Sequence, residues 1–262
     1  MVEIEHPDLK GKVALVTGST SGGMGRSTAF TLAKHGAAIV LNYGTNRSDT
    51  VADKEAEAVR ATIESMGRQV LLIKADTRKP AEVSMMVKKV MERFGRIDIL
   101  VNNAGGGWNP ESLTDTPFEQ LQNVIEAEVY GALNCIRECL PVMRANDWGR
   151  IVNLGVFGAG HWAAENFGPI EYALGKGARA LLTRHLALKE RKYNITVNLI
   201  NPGPGHTAHF ESIQEAVSAM EHSQLWGKRK QATPQDIAEA VLFLCSEQAR
   251  FITGSHIAFS IE

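Results

Sequence analysis

Tyr172 and Lys176 stand four positions apart in a segment of helical spacing, residues 171–191, so both side chains fall on one helix face. That pairing has a definite chemistry. A free phenol titrates near pH ~10, and an ammonium beside it favours the tyrosinate, which brings proton exchange toward neutral pH. A lone Tyr-x-x-x-Lys is common by chance, so its weight rests on what surrounds it. The second chemically suggestive group is the run Thr17-Gly18-Ser19-Thr20-Ser21-Gly22-Gly23-Met24-Gly25, set between an apolar run and a helical segment. Glycine lets the backbone turn sharply and approach a pyrophosphate closely, and the first N–H groups of the following helix favour its charge. The bland reading is a tight strand-to-helix turn.

Polar residues also follow the other apolar runs. The second run ends in Leu41-Asn42-Tyr43-Gly44-Thr45-Asn46-Arg47, with no Asp or Glu where a carboxylate would bind the ribose 2′-hydroxyl of NAD. Arg47, with the hydroxyls of Thr45 and Ser48, suits a 2′-phosphate through charge-assisted hydrogen bonds. The expected cofactor is therefore NADP(H) in preference to NAD(H); otherwise Arg47 is a solvated loop charge. Asp76 follows the third run and Asn102-Asn103-Ala104-Gly105 the fourth. A short polar residue there contacts adenine, ribose or nearby backbone, and Asp76 alone reads equally well as a helix cap.

The elements that must hold these groups follow from periodicity. Runs rich in Val and Ile recur at residues 13–16, 38–41, 70–73, 97–101, 151–154, 196–200 and 256–259. Each is short and continuously apolar, as strands buried on both faces are. Segments with helical spacing lie between them, at 27–35, 49–66, 81–94, 117–144, 171–191 and 234–247. Strand and helix alternate from end to end, which predicts an α/β chain with a doubly wound parallel sheet. No linker or repeat interrupts the pattern, so residues 1–262 are expected to form one domain. The irregular stretch 203–230, which includes a weakly helical piece at 210–220, is the expected lid over the ligand crevice.

The bulk composition narrows the partners. With 28 basic against 29 acidic residues, the net charge of -1 provides no field to hold nucleic acid or an anionic membrane. Met1 to Lys12 is polar and acidic, and no stretch reaches the length of a membrane span, so a cytoplasmic protein is expected. Cys135, Cys139 and Cys245 are too few and too irregular for a disulfide framework or a zinc site; buried thiols and no metal are expected.

Taken in order, these residues resemble the short-chain dehydrogenase/reductase family over nearly the whole chain. The resemblance is carried by Thr17 to Gly25, Asp76, Asn102 to Gly105, Tyr172 with Lys176, and Asn201-Pro202-Gly203 with Thr207. It implies a Rossmann-like sheet of about seven strands, hydride transfer between nicotinamide and a carbonyl or alcohol, and commonly a homotetramer. Tyr172 would be the general acid in the reducing direction, and Lys176 would also hold the nicotinamide ribose. Cofactor contacts would come from Gly18, Ser21, Gly23, Met24, Gly25, Arg47, Asp76, Asn103, Ala104, Gly105, Pro202, Gly203 and Thr207.

The chain also departs from the family. Val156 stands where a serine usually binds the substrate oxygen, and Glu128 replaces the helical asparagine that supports a water linked to the lysine. The glycine turn has four residues between Gly18 and Gly23 where the family usually has three. Loss of one oxyanion donor costs ~100 to 1000-fold in rate without abolishing the reaction. His161, Glu165 and Asn166 are possible replacement donors, His161 the best placed. Trp108, Phe157, Trp162, Phe167, Phe210 and Trp226 could line an apolar pocket, or belong to the core or an interface. The leading expectation is an NADP(H)-dependent oxidoreductase acting on a carbonyl, imine or related small molecule. The alternatives are a low-activity nucleotide-binding subunit and a non-redox isomerase, dehydratase or cyclase.

Overall fold

The strand β1 (Val13–Val16) shows why these apolar runs become strands of a covered sheet. Ala14 and Val16 join one hydrophobic layer, Val13 and Leu15 the other, and all four residues are buried. Successive side chains of a strand point to opposite faces, so a run with no polar member needs cover on both. In the computed structural model, which describes residues 9–44, 49–106, 112–156, 169–203, 209–221 and 232–259, six further strands complete the sheet. They are β2 (Ala38–Tyr43), β3 (Val70–Lys74), β4 (Ile99–Asn102), β5 (Gly149–Leu154), β6 (Ile195–Asn201) and β7 (His256–Ala258). The order is β3-β2-β1-β4-β5-β6-β7 and every pairing is parallel, as the alternation predicts.

Helices cover both faces. On one side, α1 (Met24–Lys34) and α2 (Asp49–Ser65) contribute Phe30, Val59 and Ile63 to the core. The other layer receives Val83, Met86 and Val90 from α3 (Pro80–Phe94), whose ends are set by Pro80 in its first turn and by left-handed Gly95 at φ 71°. The helix expected at 117–144 is interrupted. It is built as α4 (Phe118–Ile125), a π-helical turn at Glu126–Tyr130, and α5 (Gly131–Ala145). At the π turn the Gly131 N–H reaches back to the Glu126 carbonyl, one residue farther than in an α-helix. Glu128 sits inside this widened turn and is fully buried.

The long helix α6 (Ile170–Glu190) packs beside α4 and the π turn. Within the expected lid, the described residues are 203 and 209–221, which include α7 (Ile213–Glu221), whose Ile213, Ala216, Val217 and Met220 pack on the same layer as α1. Residues 204–208 and 222–230 of that segment lie outside the described residues. The last helix, α8 (Pro234–Cys245), begins where the Asp236 carboxylate accepts the Thr233 N–H at 2.7 Å. No helix among the described residues is long and apolar enough to cross a membrane. Cys135, Cys139 and Cys245 are buried, and burial pushes the Cys135 thiol up to about 12, against a smaller opposing effect of Arg179.

This topology decides where a ligand can sit. The chain runs from β1 outward to β2 and β3, then returns to the other side of β1 as β4. Connections leaving the carboxyl ends of β1 and β4 therefore diverge and open a crevice between them.

Candidate active site

The crevice begins at the glycine turn. Gly18 has φ +62°, a left-handed conformation that glycine adopts without steric cost. At Gly25 the requirement is clearance: a Cβ would collide with the Gly18 carbonyl oxygen and stand 2.5 Å from Asn103 Nδ2. The turn thus folds tightly onto the first turn of α1, which carries neither an acidic residue nor a side-chain cap. Its positive end is left facing the crevice. Asn103 stitches the two strand ends together, its Nδ2 donating to the carbonyls of Thr17 at 2.9 Å and Gly18 at 2.8 Å. Thr17 Oγ1 in return accepts the N–H groups of Asn103 and Ala104, each at 3.0 Å.

A cavity of about 450 Å³ occupies this edge of the sheet and brings together most of the expected residues: Gly18, Ser21, Gly23, Met24, Gly25, Asp76, Asn103, Ala104, Gly105, Tyr172 and Lys176. Asn42, Tyr43, Glu55, Arg78, Glu128 and His209 also line it. Asp76 is not the cap of α3, whose N-cap is Lys79. Instead both its carboxylate oxygens accept from the Arg78 guanidinium, at 2.7 to 3.1 Å. Those hydrogen bonds hold the Asp76 carboxyl below the usual range, with burial opposing them. Asn42, where a ribose-binding carboxylate is absent, donates to the Ala75 carbonyl at 3.0 Å.

Other expected residues stand elsewhere. Pro202 and Gly203 are buried just beyond β6. Val156 follows β5 and packs on Ala180 and Leu199. Phe210 lies behind the glycine turn: its N–H donates to the Gly22 carbonyl at 3.0 Å, and its own carbonyl accepts from Arg26 Nη2 at 2.7 Å. Arg26 donates to the Ser212 carbonyl as well, at 3.1 Å. Arg47, Trp108, His161 and Thr207 lie outside the described residues, as do Thr45, Ser48, Phe157, Trp162, Glu165, Asn166, Phe167 and Trp226.

At the other wall, α6 presents Tyr172 and Lys176 on one face, with the Lys176 ammonium 5.1 Å from the centre of the Tyr172 ring. Lys176 Nζ donates to the Leu154 carbonyl at 3.2 Å and pairs with Glu128 Oε2 at 3.1 Å. A third charge, Arg179, completes the group 3.0 Å from the same oxygen. Sequence reasoning missed Arg179, although its position three residues after Lys176 puts it on the same helix face. Its guanidinium makes four hydrogen bonds, donating to the carbonyls of Glu128 at 2.8 Å, Asn102 at 3.0 Å and Leu154 at 3.1 Å, and to that of Ala104. It thereby ties together the ends of β4 and β5 and the π turn.

These charges correct the expected titration of the tyrosine. Burial, and then the Glu128 carboxylate, push the Tyr172 phenol above its ordinary range, while Arg179 opposes them. The ammonium that was to favour the tyrosinate faces a carboxylate that disfavours it. Burial lowers Lys176 to about 8; Glu128 resists that shift and Arg179 adds to it. In the free protein Tyr172 is therefore held as the phenol, a form that donates a proton.

Comparison with known proteins shows what the chain as a whole is similar to. A family model described as enoyl-(acyl carrier protein) reductase matches residues 18–260. The chain is 36% identical over 252 residues to (2S)-[(R)-hydroxy(phenyl)methyl]succinyl-CoA dehydrogenase subunit BbsD of Thauera aromatica, covering 94% of each chain. It is 35% identical over 261 residues to the D-beta-hydroxybutyrate dehydrogenase of Rhizobium meliloti, covering 94% of this chain and 96% of that one. In three dimensions it matches a Bacillus thuringiensis protein assigned as a 3-oxoacyl-reductase, with a TM-score of 0.80 at 28% identity over 95% and 96% of the two chains. Similar in sequence and in fold along nearly all its length, the chain belongs to the short-chain dehydrogenase/reductase family of oxidoreductases.

Proposed function

We propose that the protein is an NADP(H)-dependent reductase of a carbonyl, imine or related small molecule, with Tyr172 as the proton donor. One observation carries the reading: Tyr172 and Lys176 line the same crevice as the glycine turn. The residues present fit a dinucleotide, because the clearance at Gly25 and the uncapped start of α1 make a close, positively polarised backbone cradle. Gly18, Ser21, Gly23, Met24 and Gly25 would hold its phosphates, Lys176 the nicotinamide ribose, and Asp76, Asn103, Ala104 and Gly105 the adenosine side and the floor. When bound, the cofactor supplies the hydride.

The protein's own work is to hold a proton at Tyr172 Oη and to deliver it to the oxygen or nitrogen that becomes basic as the substrate is reduced. A phenol kept protonated by burial and by Glu128 suits that direction. Val156 offers no hydroxyl to polarise the substrate, so orientation and Tyr172 carry more of the catalysis than a serine-containing site would require. That same residue favours a second reading, a nucleotide-binding subunit of low activity.

Tyr172→Phe separates the two. It removes the hydroxyl and keeps the ring, so cofactor affinity should survive while NADPH-linked turnover across a panel of ketones, imines and activated alkenes falls by about 100-fold or more. Unchanged turnover in the variant removes Tyr172 from the chemistry. Cofactor binding by the wild type with no turnover on any acceptor favours the subunit.

A further inference from the structure

The Glu128 carboxylate is held by a built enclosure. Its Oε1 accepts the Gly106 N–H at 3.0 Å, and its Oε2, which makes no hydrogen bond among the described residues, lies in charge contact with Lys176 Nζ at 3.1 Å and Arg179 Nη2 at 3.0 Å. Two glycines clear the room for it. A Cβ on Gly105 would collide with Glu128 Oε1, and one on Gly175 would stand 2.5 Å from Glu128 Cβ. A carboxylate buried this deeply is tolerable only with opposite charge and hydrogen-bond donors at hand, and both are present here.

We propose that Glu128 is a positioning residue for Lys176, anchoring its ammonium directly at the crevice wall, with Arg179 as the partner charge that keeps the carboxylate in place. The inference rests on the reading of Lys176 as part of the reacting site. Lysine has a long flexible stem, and Lys176 Nζ is fixed by the Leu154 carbonyl of β5 and by Glu128 of the π turn. Among the described residues, the charged and titratable groups around it are Glu128 from the π turn, with Arg179 and Tyr172 from its own helix. Of these only Glu128 favours the ammonium, since burial and Arg179 both oppose it. An uncharged side chain at position 128 would leave the two cations with no opposite charge between them. The direct ion pair thus does by charge what a neutral asparagine cannot.

The test is a titration of Lys176 in the full chain, read by NMR on lysine labelled at Cε and assigned by the signal lost in Lys176→Arg. It needs no turnover. Glu128→Gln keeps shape and removes charge, and should lower the Lys176 midpoint from about 8 by about one to three pH units. The alkaline limb of the turnover profile should move down with it. A purely structural role would lower thermal stability and leave both midpoints in place, and that result overturns the proposal. Should Glu128→Gln fail to fold, Glu128→Asp keeps the charge but withdraws it by one methylene. A lowered midpoint there supports the anchor, and a midpoint equal to wild type overturns it. If the midpoint moves while wild-type protein reduces no acceptor, the reductase reading fails and the anchor stands; turnover with an unmoved profile gives the reverse.

Discussion

Gly175 and Gly177 sit two residues apart in α6 and should respond to alanine with opposite signs. In a helix interior, replacing glycine with alanine gains up to ~1 kcal/mol from backbone propensity alone. At Gly177 a Cβ meets nothing within 4 Å, so that gain should be realised. At Gly175 the new Cβ would lie 2.5 Å from Glu128 Cβ and 2.9 Å from its Cγ, inside a packed and charged enclosure. Overpacking of this kind costs ~1 to 3 kcal/mol, enough to exceed the propensity term. Thermal unfolding should therefore show Gly177→Ala at or above wild type and Gly175→Ala several degrees below it. Stabilisation by both would mean that Glu128 does not occupy the space beneath Gly175.

At the scale of elements, the end of β2 bears on cofactor choice. The Asn42 side chain is committed to the Ala75 carbonyl at 3.0 Å, and no carboxylate follows it before α2. We expect NADPH to bind more tightly than NADH when both are titrated by fluorescence. Equal affinities, or tighter NADH, would mean that Arg47 serves only solvent. The strands were legible in advance because Val and Ile runs buried on both faces leave an unbroken apolar signature. The π turn was not, because a wider hydrogen bond from Gly131 to Glu126 leaves no breaker residue at its start. Arg179 escaped notice for a related reason: its partners are backbone carbonyls of Glu128, Asn102, Leu154 and Ala104, far apart in the chain. The direction of the Tyr172 shift is not legible from spacing, which pairs it with Lys176, whereas folding buries the phenol and brings the Glu128 carboxylate near it.

At the scale of the whole molecule, an apolar line is exposed among the described residues. Leu174, Leu181 and Leu188 recur at seven-residue intervals on α6 and are 59%, 72% and 73% exposed, too much for three large side chains on one face to be incidental. Across a shallow groove, Val129 of the π turn and Leu133 of α5 stand near Leu181 and Leu182. We propose that these helices pair across a twofold axis in a symmetric homo-oligomer, a tetramer by family resemblance. Light scattering should give a multiple of 28.6 kDa, and Leu181→Asp should reduce it. A wild-type monomer at micromolar concentration would end this expectation.

The strap behind the glycine turn carries a thermodynamic consequence. The Phe210 N–H holds the Gly22 carbonyl, and Arg26 holds the carbonyls of Phe210 and Ser212, just ahead of α7. The turn and the approach to α7 are thereby fastened to each other. Any displacement of the turn must therefore break the Phe210–Gly22 hydrogen bond or carry the approach to α7 with it.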